Sequence, residues 1–571
     1  MIVQPPAPRL AVWLTQPLRE NRKTYIEAGL AAVMISCFSL LTSVFTMTVY
    51  DRVVPNNAFS SLAVLTLGLG IVIGFDFVLK SLRAYFVDIA GARIDHTVGE
   101  TLFQRLLAMR LELKRTSTGT LTGLIREIES LREFFTSATL TAVVDVPFII
   151  LTLVVIGLIG HSLVLVPIVM IPLVILVGAV TQPALERLSA KTMSEGFQKQ
   201  SVLVETIGGL EMVKTAGAGP FLRQRWLEAV HRHASLGLQQ RLVGSIAINF
   251  ASAAQLIVYA GVVVMGVFKV ADHSLTTGGL VACSMLASRA VAPLGQIANL
   301  LSRLTSTQTA YRQINAFMAI PIEGPAREGL KMGALKGAIA FREVNFAYPG
   351  AAEPALKAVN FAIAPGERVA IVGPLGSGKS TITRLILGLY PASQGVVTID
   401  GTDLRQMDPA SLRRSIGAAG QDNVLLTGSI RENICLGRDG IDDEEMLRVA
   451  QVSGTSGFMA RTVNGYDLVL ADRGEGLSGG QRQSIAIARA LAGRPPIVLL
   501  DEPSSSIDSD TEARLIQGLI QELQGRTLVV VTHRPAMLAL AERVIVMAEG
   551  RVVMDGPREA ILAKISGPRV A

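Results

Sequence analysis

The chain has 571 residues, half of them hydrophobic, with only 17% charged and 5% aromatic. That length calls for more than one domain, and that apolar content points to a membrane and away from a wholly soluble protein. The net charge of +7 comes without a basic run interleaved with aromatics, so no nucleic-acid partner is expected. Cys37, Cys283 and Cys435 have no metal or redox spacing and fit structural roles in a reducing compartment.

Residues 1–23 place Trp13 and Leu14 among Pro, Arg and Lys, and read as a short interfacial segment or a tail. No cleavable signal is expected, because the first apolar run follows Arg19, Arg22 and Lys23, is long enough to span, and lacks a small-residue cleavage site. Six apolar runs follow near Ala28–Tyr50, Leu62–Leu82, Leu140–Gly160, Leu163–Val180, Ile246–Val270 and Leu280–Leu300. Each approaches the roughly 20 residues that cross a hydrocarbon core. Two long links are rich in Lys and Arg: Arg83 to Arg132 between the second and third runs, and Arg187 to Arg241 between the fourth and fifth. The links at Asp51–Ser61, His161–Ser162 and Ala271–Thr277 are short and nearly free of positive charge. The positive-inside rule puts the long links and both termini in the cytoplasm.

The long links read as helical extensions of the spans, interrupted by small flexible patches at Thr116–Thr120 and Thr215–Pro220. Within the spans, Asp76, Lys80, Asp145 and Arg289 are expensive in lipid and should face a wet cavity or one another. Asp76 and Lys80, four residues apart, are expected to pair. Arg289 is the stronger candidate for lining a translocation path, with Asp76 beside it. Residues 318–336, with Pro321, Gly324, Pro325, Gly329 and Gly333, read as a linker. The fold expected is an all-α polytopic membrane domain of about six helices over 24–317, then an α/β P-loop domain over 337–571.

The second domain carries Gly373-Pro-Leu-Gly376-Ser377-Gly378-Lys379-Ser380-Thr381 between the apolar strand pattern Arg368–Val372 and the helical pattern Ile382–Leu387. Glycines there let backbone N–H groups turn inward around phosphate oxygens, and the helix N-terminus adds partial positive charge. Lys379 should reach the β- and γ-phosphates and Ser380 should ligate Mg²⁺. A glycine-rich turn that binds nothing is the bland alternative. The full GxxxxGKS pattern in a strand–helix context outweighs it, so a nucleotide is the expected ligand.

Downstream lie Leu477-Ser478-Gly479-Gly480-Gln481-Arg-Gln483 and Ile497-Val-Leu-Leu-Asp501-Glu502-Pro503. With Tyr348, Gln421, Ser506-Ile-Asp508 and His533, this set resembles the ABC (ATP-binding cassette) family. The resemblance implies ATP and Mg²⁺ as cofactors and ATP hydrolysis as the activity. It makes Asp501 and Ser380 the Mg²⁺ side chains, partly through water, with Gln421 as a sensor that touches the membrane domain. Glu502 would orient and deprotonate the attacking water, His533 would contact the γ-phosphate, and Tyr348 would stack on adenine. Leu477, Ser478, Gly479, Gly480 and Gln481 would cap ATP on a second, facing chain, with Asp508 in the adjoining D-loop. One phosphate loop and one such signature per chain therefore imply a homodimer.

Three stretches, Val49–Asn56, Phe135–Phe148 and Ser288–Leu294, further resemble the permease/ATPases of type I protein secretion of the haemolysin and RTX-adhesin type. That resemblance implies a protein of the bacterial inner membrane, with cytoplasmic ATPase domains and bound membrane lipid. Its partners would be a membrane-fusion protein, an outer-membrane channel and a secreted protein substrate, of RTX type with a C-terminal signal. Given the short stretch before the first span, the N-terminal peptidase-like domain that many members carry is not expected. Two departures touch coupling: Asp472 or Glu475 stands where Glu is usual ahead of the signature, and Gly420 stands where Pro usually precedes Gln421. The competing readings are an exporter of lipid, drug or small peptide and a non-transport ATPase regulator. The six spans argue against the last.

Overall fold

The computed structural model describes residues 11–113, 121, 123, 139–323, 330, 333–438, 440–460, 462 and 464–566, with backbone alone at 113, 139–146, 293–303, 305, 306 and 566. The patch Thr116–Thr120, link residues Lys114, Arg115, Arg126 and Arg132, linker residues Gly324, Pro325 and Gly329, residues 135–138 and the side chain of Asp145 lie outside the described residues. The chain forms two compact units, Met1–Leu107 with Arg115–Ile320, and Ala108–Lys114 with Pro321–Ala571.

The first unit is helical. Its helices are α1 (Val12–Glu20), α2 (Arg22–Thr48), α3 (Phe59–Leu107), α4 (Thr139–Gly160), α5 (Leu165–Gly208), α6 (Gly219–Ala271) and α7 (Thr277–Met318). Helices α2 to α7 carry the six apolar runs and continue beyond them. At 1.5 Å per residue the 49 residues of α3 extend about 74 Å, more than twice a hydrocarbon core. Among the described residues four helical stretches are long and apolar enough to cross a membrane: Arg22–Asn56, Phe59–Leu107, Pro147–Gly208 (α4 and α5 joined through a 3₁₀ turn) and Gly219–Ala271. A shorter apolar segment, Thr277–Ala292, lies in α7. Apolar side chains point outward, as with Phe59, 72% exposed, and Leu67, 70% exposed; for helices of this composition that surface suits lipid.

Helices α4 to α7 meet around Ile156, Leu163, Val174, Ala254, Val258 and Leu286. Small residues such as Ala251 and Ala287 let the backbones approach. Helix α1 is folded against α7: Trp13 stacks on Tyr311 with ring centroids 5.7 Å apart and donates to Asn315 Oδ1 at 3.3 Å. The Val49–Val53 stretch is a π-helical turn that aims Asp51 at the start of α7. The Asp51 carboxylate accepts from Gly278 N–H and from Thr276 Oγ1, both at 2.7 Å.

The second unit is α/β. A four-stranded antiparallel sheet has the order β2 (Leu356–Ile363), β1 (Ile339–Phe346), β4 (Gln394–Ile399), β5 (Thr402–Asp403). A six-stranded sheet runs β12 (Arg551–Pro557), β11 (Arg543–Ala548), β3 (Arg368–Val372), β10 (Thr527–Val531), β9 (Ile497–Asp501), β6 (Ile416–Ala419). It is parallel except for the edge strand β12. A small pair joins β7 (Gly428–Ser429) to β8 (Val469–Leu470). Strands β9 and β10 are buried throughout, as a parallel sheet covered on both faces requires. Their side chains alternate: Val498, Leu500, Leu528 and Val530 enter one core with α9 (Gly479–Leu491) and α10 (Ser509–Glu522). Ile497, Leu499, Val529 and Val531 enter the other, with Phe341, Phe361 and α8 (Lys379–Ile386). Residues 321–323 are tied down: Glu323 N–H donates to Ala108 O at 2.7 Å, and the Glu323 carboxylate pairs with Arg413 at 2.7 Å.

Candidate nucleotide site

The register of the parallel strands assembles the site. Val531 lies opposite both Ile371 and Asp501, and Leu500 opposite Ala419. The phosphate loop, the Asp501–Glu502 pair, Thr532–His533 and Gly420–Gln421 therefore leave the same, C-terminal, edge of four neighbouring strands. That edge is where open parallel sheets bind ligands.

The loop between β3 and α8 is built around glycine. Gly373 has φ +153°, and a Cβ there would lie 2.1 Å from Met547 O, so no side chain fits. Lys379, 6% exposed, folds over the loop and donates to the carbonyls of Gly373 at 2.9 Å and Pro374 at 2.8 Å. Burial holds its ammonium below the ordinary lysine range, against the opposing pull of Glu502 and Asp501.

Asp501 is 6% exposed and its Oδ1 has no hydrogen-bond partner. Burial pushes its carboxyl above the ordinary range, opposed by the Ser380 hydroxyl, Arg384, Lys379 and His533. A buried carboxylate oxygen left without a donor, next to a serine hydroxyl, is the donor set of a hard divalent cation. Glu502 follows with φ +51°. Its Oε2 accepts weakly from His533 N–H at 3.4 Å, and His533 Nε2 lies 3.3 Å from Oε1, close enough for a charge contact but off the line of a hydrogen bond.

Tyr348 sits in an aromatic nest, edge-on to Phe346 (4.9 Å) and Tyr390 (5.4 Å). Its hydroxyl lies 3.2 Å from Thr381 Oγ1 and accepts from Arg384 Nη1 at 2.9 Å. The Arg384 guanidinium, 5.8 Å from the ring centroid, is at the limit of cation–π reach, so the hydrogen bond is the main contact. Gln421 is exposed beyond β6.

The signature segment opens α9 with a capping box: Ser478 Oγ accepts from Gln481 N–H at 3.2 Å, and Ser478 N–H donates to Gln481 Oε1 at 2.8 Å. Gly480 is needed for a close approach, since a Cβ would meet Ser506 O at 2.8 Å. Leu477 is half-buried against the α9 core, and Asp508 caps α10 by accepting from Thr511 N–H at 2.9 Å.

In the helical unit, Asp76 pairs with Lys80 at 2.6 Å. Both line one cavity of about 410 Å³ with Arg289, Ser39 and Thr152. Arg289 Nη1 donates to the Ser39 carbonyl and, at 2.6 Å, to the Ser39 hydroxyl. Three polar residues that the sequence reading leaves without a role hold these places together: Gln483 in the signature helix, Arg384 behind Tyr348, and Asp51. Gln483 alone had a usable signal, a polar side chain next to the apolar run Ile485–Leu491 of α9, where the helix is largely buried.

Apolar spanning helices joined to a P-loop unit with paired carboxylates at a strand end define a membrane-embedded ATPase. Residues 25–294 match the description "ABC transporter transmembrane region" and residues 356–505 match "ABC transporter". The chain is 33% identical over 556 residues to "Leukotoxin translocation ATP-binding protein LktB" of Pasteurella haemolytica-like sp. (strain 5943B), covering 97% of this chain and 78% of that one. "Toxin RTX-I translocation ATP-binding protein" of Actinobacillus pleuropneumoniae is also 33% identical, with the same coverage. A solved structure described as "Structure of a bacterial Atm1-family ABC exporter with ATP bound" superposes with a TM-score of 0.86 over 96% of this chain and 99% of that one. At 23% identity that likeness speaks for the fold alone. The chain belongs to the ABC transporter family. It is an ATP-hydrolysing, multi-pass membrane transporter of the exporter fold.

Proposed function

We propose that this chain is the ABC component of a type I secretion system, exporting a polypeptide across the bacterial inner membrane. The observation that carries this reading is 33% identity, along nearly the whole chain, to proteins whose names state toxin translocation. The cargo would be an RTX-type protein with a C-terminal signal. A membrane-fusion protein and an outer-membrane channel would continue the path, and the ATPase unit would face the cytoplasm.

Two copies would form the working unit. Each would offer Ser478, Gly479 and the start of α9 to the γ-phosphate of ATP held on the other chain's phosphate loop. Within one chain, Lys379 and the loop N–H groups would bind the phosphates, Tyr348 the adenine, and Glu502 would take a proton from water with His533 steadying it. Ser380 and Asp501, with Gln421 in the sensing loop, would hold Mg²⁺, which when bound neutralises phosphate charge. Asp76 and Arg289, which line one cavity from α3 and α7, would line the path.

The experiment is to replace Glu502 by Gln in the native cell and compare secreted proteins by mass spectrometry. One or a few large proteins should vanish from the medium. An unchanged secretome with an altered lipid or drug-resistance profile would overturn the polypeptide reading.

A further inference from the structure

Gln483 is 2% exposed, in the second turn of α9. Its side-chain amide is shared between two points of one turn. Nε2 donates to Glu502 O at 2.6 Å and lies 3.4 Å from Ser505 Oγ, while Oε1 accepts from Ser506 N–H at 3.1 Å. The turn it grips contains the unusual backbone of the site: Glu502, at φ +51°, is a non-glycine residue in the left-handed region. Such a conformation persists only where its surroundings over-determine it. Here the Glu502 N–H is fixed by Val531 O at 2.8 Å, and its carbonyl is fixed by Gln483 and by Ser505 N–H at 3.2 Å.

We propose that Gln483 is a positioning residue for ATP hydrolysis, holding the backbone that aims the Glu502 carboxylate. The proposal rests on the reading of Glu502 as the water-activating group. A second contact makes the link rigid. Gly480, three residues before Gln483 on the same helix, lies so close to Ser506 that a Cβ would meet its carbonyl oxygen at 2.8 Å. The start of α9 and the Glu502–Ser506 turn therefore touch at two places, one steric and one hydrogen-bonded. A small displacement of the signature end of α9 is carried to the Glu502 carbonyl, so α9 couples whatever ligand its N-terminus meets to the carboxylate of its own chain.

The amide chemistry separates positioning from packing. Gln483→Met keeps the volume but loses both the donor and the acceptor. Gln483→Glu keeps an acceptor for Ser506 N–H but, when ionised at the alkaline end of the assay range, cannot donate to the Glu502 carbonyl. In the full-length protein in nanodiscs, Gln483→Met should lower kcat by about tenfold, the size of one buried hydrogen bond. KM for ATP and the affinity for a non-hydrolysable ATP analogue should stay near wild type, and the melting midpoint should fall by no more than the loss of buried hydrogen bonds accounts for. Gln483→Glu should also lower kcat, because the donor that it lacks is the one on Glu502. Wild-type kcat in both variants would overturn the proposal. So would a fall in kcat matched by loss of analogue binding and of thermal stability, or failure of both variants to fold, since each makes Gln483 a packing residue. Glu502→Gln is run beside them. If it retains turnover, the reading of Glu502 fails; if it is inactive while Gln483→Met is normal, only the positioning role fails.

Discussion

The two units use polar side chains in opposite ways. In the helical unit hydroxyls bond back to their own helix: Ser36 to Ala32 O, Thr42 to Phe38 O, Thr152 to Phe148 O, Thr181 to Val177 O. These hydroxyls are satisfied within their own helix, as suits a chain surrounded by lipid, while Arg289 to Ser39 and Asp51 to Gly278 cross between elements. In the ATPase unit buried polar groups reach across elements instead, Gln483 from α9 to the end of β9 and Arg489 from α9 to Asn433. The first arrangement, hydroxyls bonded within their own helix, lets helices slide and tilt without breaking those contacts. The second fixes a few atoms at the edge of a sheet. A transporter needs both, one where the path must change shape and the other where phosphate must be held still.

The contrast is sharpest at the carboxylates. Glu502→Gln should lower phosphate release by roughly 10²- to 10⁴-fold, the range for losing a positioned general base, while ATP binding survives. Phosphate release in nanodiscs is the measurement, and wild-type turnover would remove Glu502 from its role. Lys379→Ala should weaken ATP binding by about 10- to 100-fold, since charge-assisted bonds contribute about 1.5–3 kcal/mol. Mixed with Ser478→Arg, it should regain part of its turnover, because mixed dimers leave one of two shared sites intact. No recovery at any ratio would count against capping in trans.

Asp501 gives a pH test. Burial raises its carboxyl, so its folded pKa exceeds the unfolded value. The proton-bound form therefore favours the ligand-free fold on the acid side, and that contribution is lost as pH rises through the folded value. A divalent cation competes with the same proton. The Mg²⁺ concentration needed for half the ATP-induced rise in melting midpoint should increase as pH falls, and Asp501→Asn should flatten that dependence. The smallest effect belongs to the helical unit. Asp51→Asn weakens the cap on α7 and should cost about 1 kcal/mol, read as a lower apparent Tm with KM for ATP unchanged.

How much of this was legible in the sequence follows from separation along the chain. The phosphate loop is contiguous, and Lys379 finds its carbonyl partners five and six residues away. Asp76–Lys80 is a helical i,i+4 pair, as its spacing predicts. Gln483 and Glu502 are 19 residues apart, Arg384 and Tyr348 36, Asp51 and Gly278 227. Those contacts depend on strand order and helix packing, which no local pattern encodes. Pro321 and its neighbours read as linker from composition. Yet Ile322 forms an antiparallel bridge with Met109, because an extended segment pairs wherever another backbone edge is offered. Its carbonyl also accepts from the side-chain Nε of Arg110 at 2.9 Å, 212 residues away.

The capping box at Ser478 and Gln481 has a consequence for speed. It consumes the N–H groups of those two residues and leaves those of Gly479 and Gly480, at the first positions of α9, to other acceptors. The helix start is thus fully wound before any ligand arrives. Closing a second chain's nucleotide against it would involve no coil-to-helix transition and no ordering of loose chain, a step that elsewhere lowers affinity. The rate of closure would then be set by how fast two rigid bodies approach.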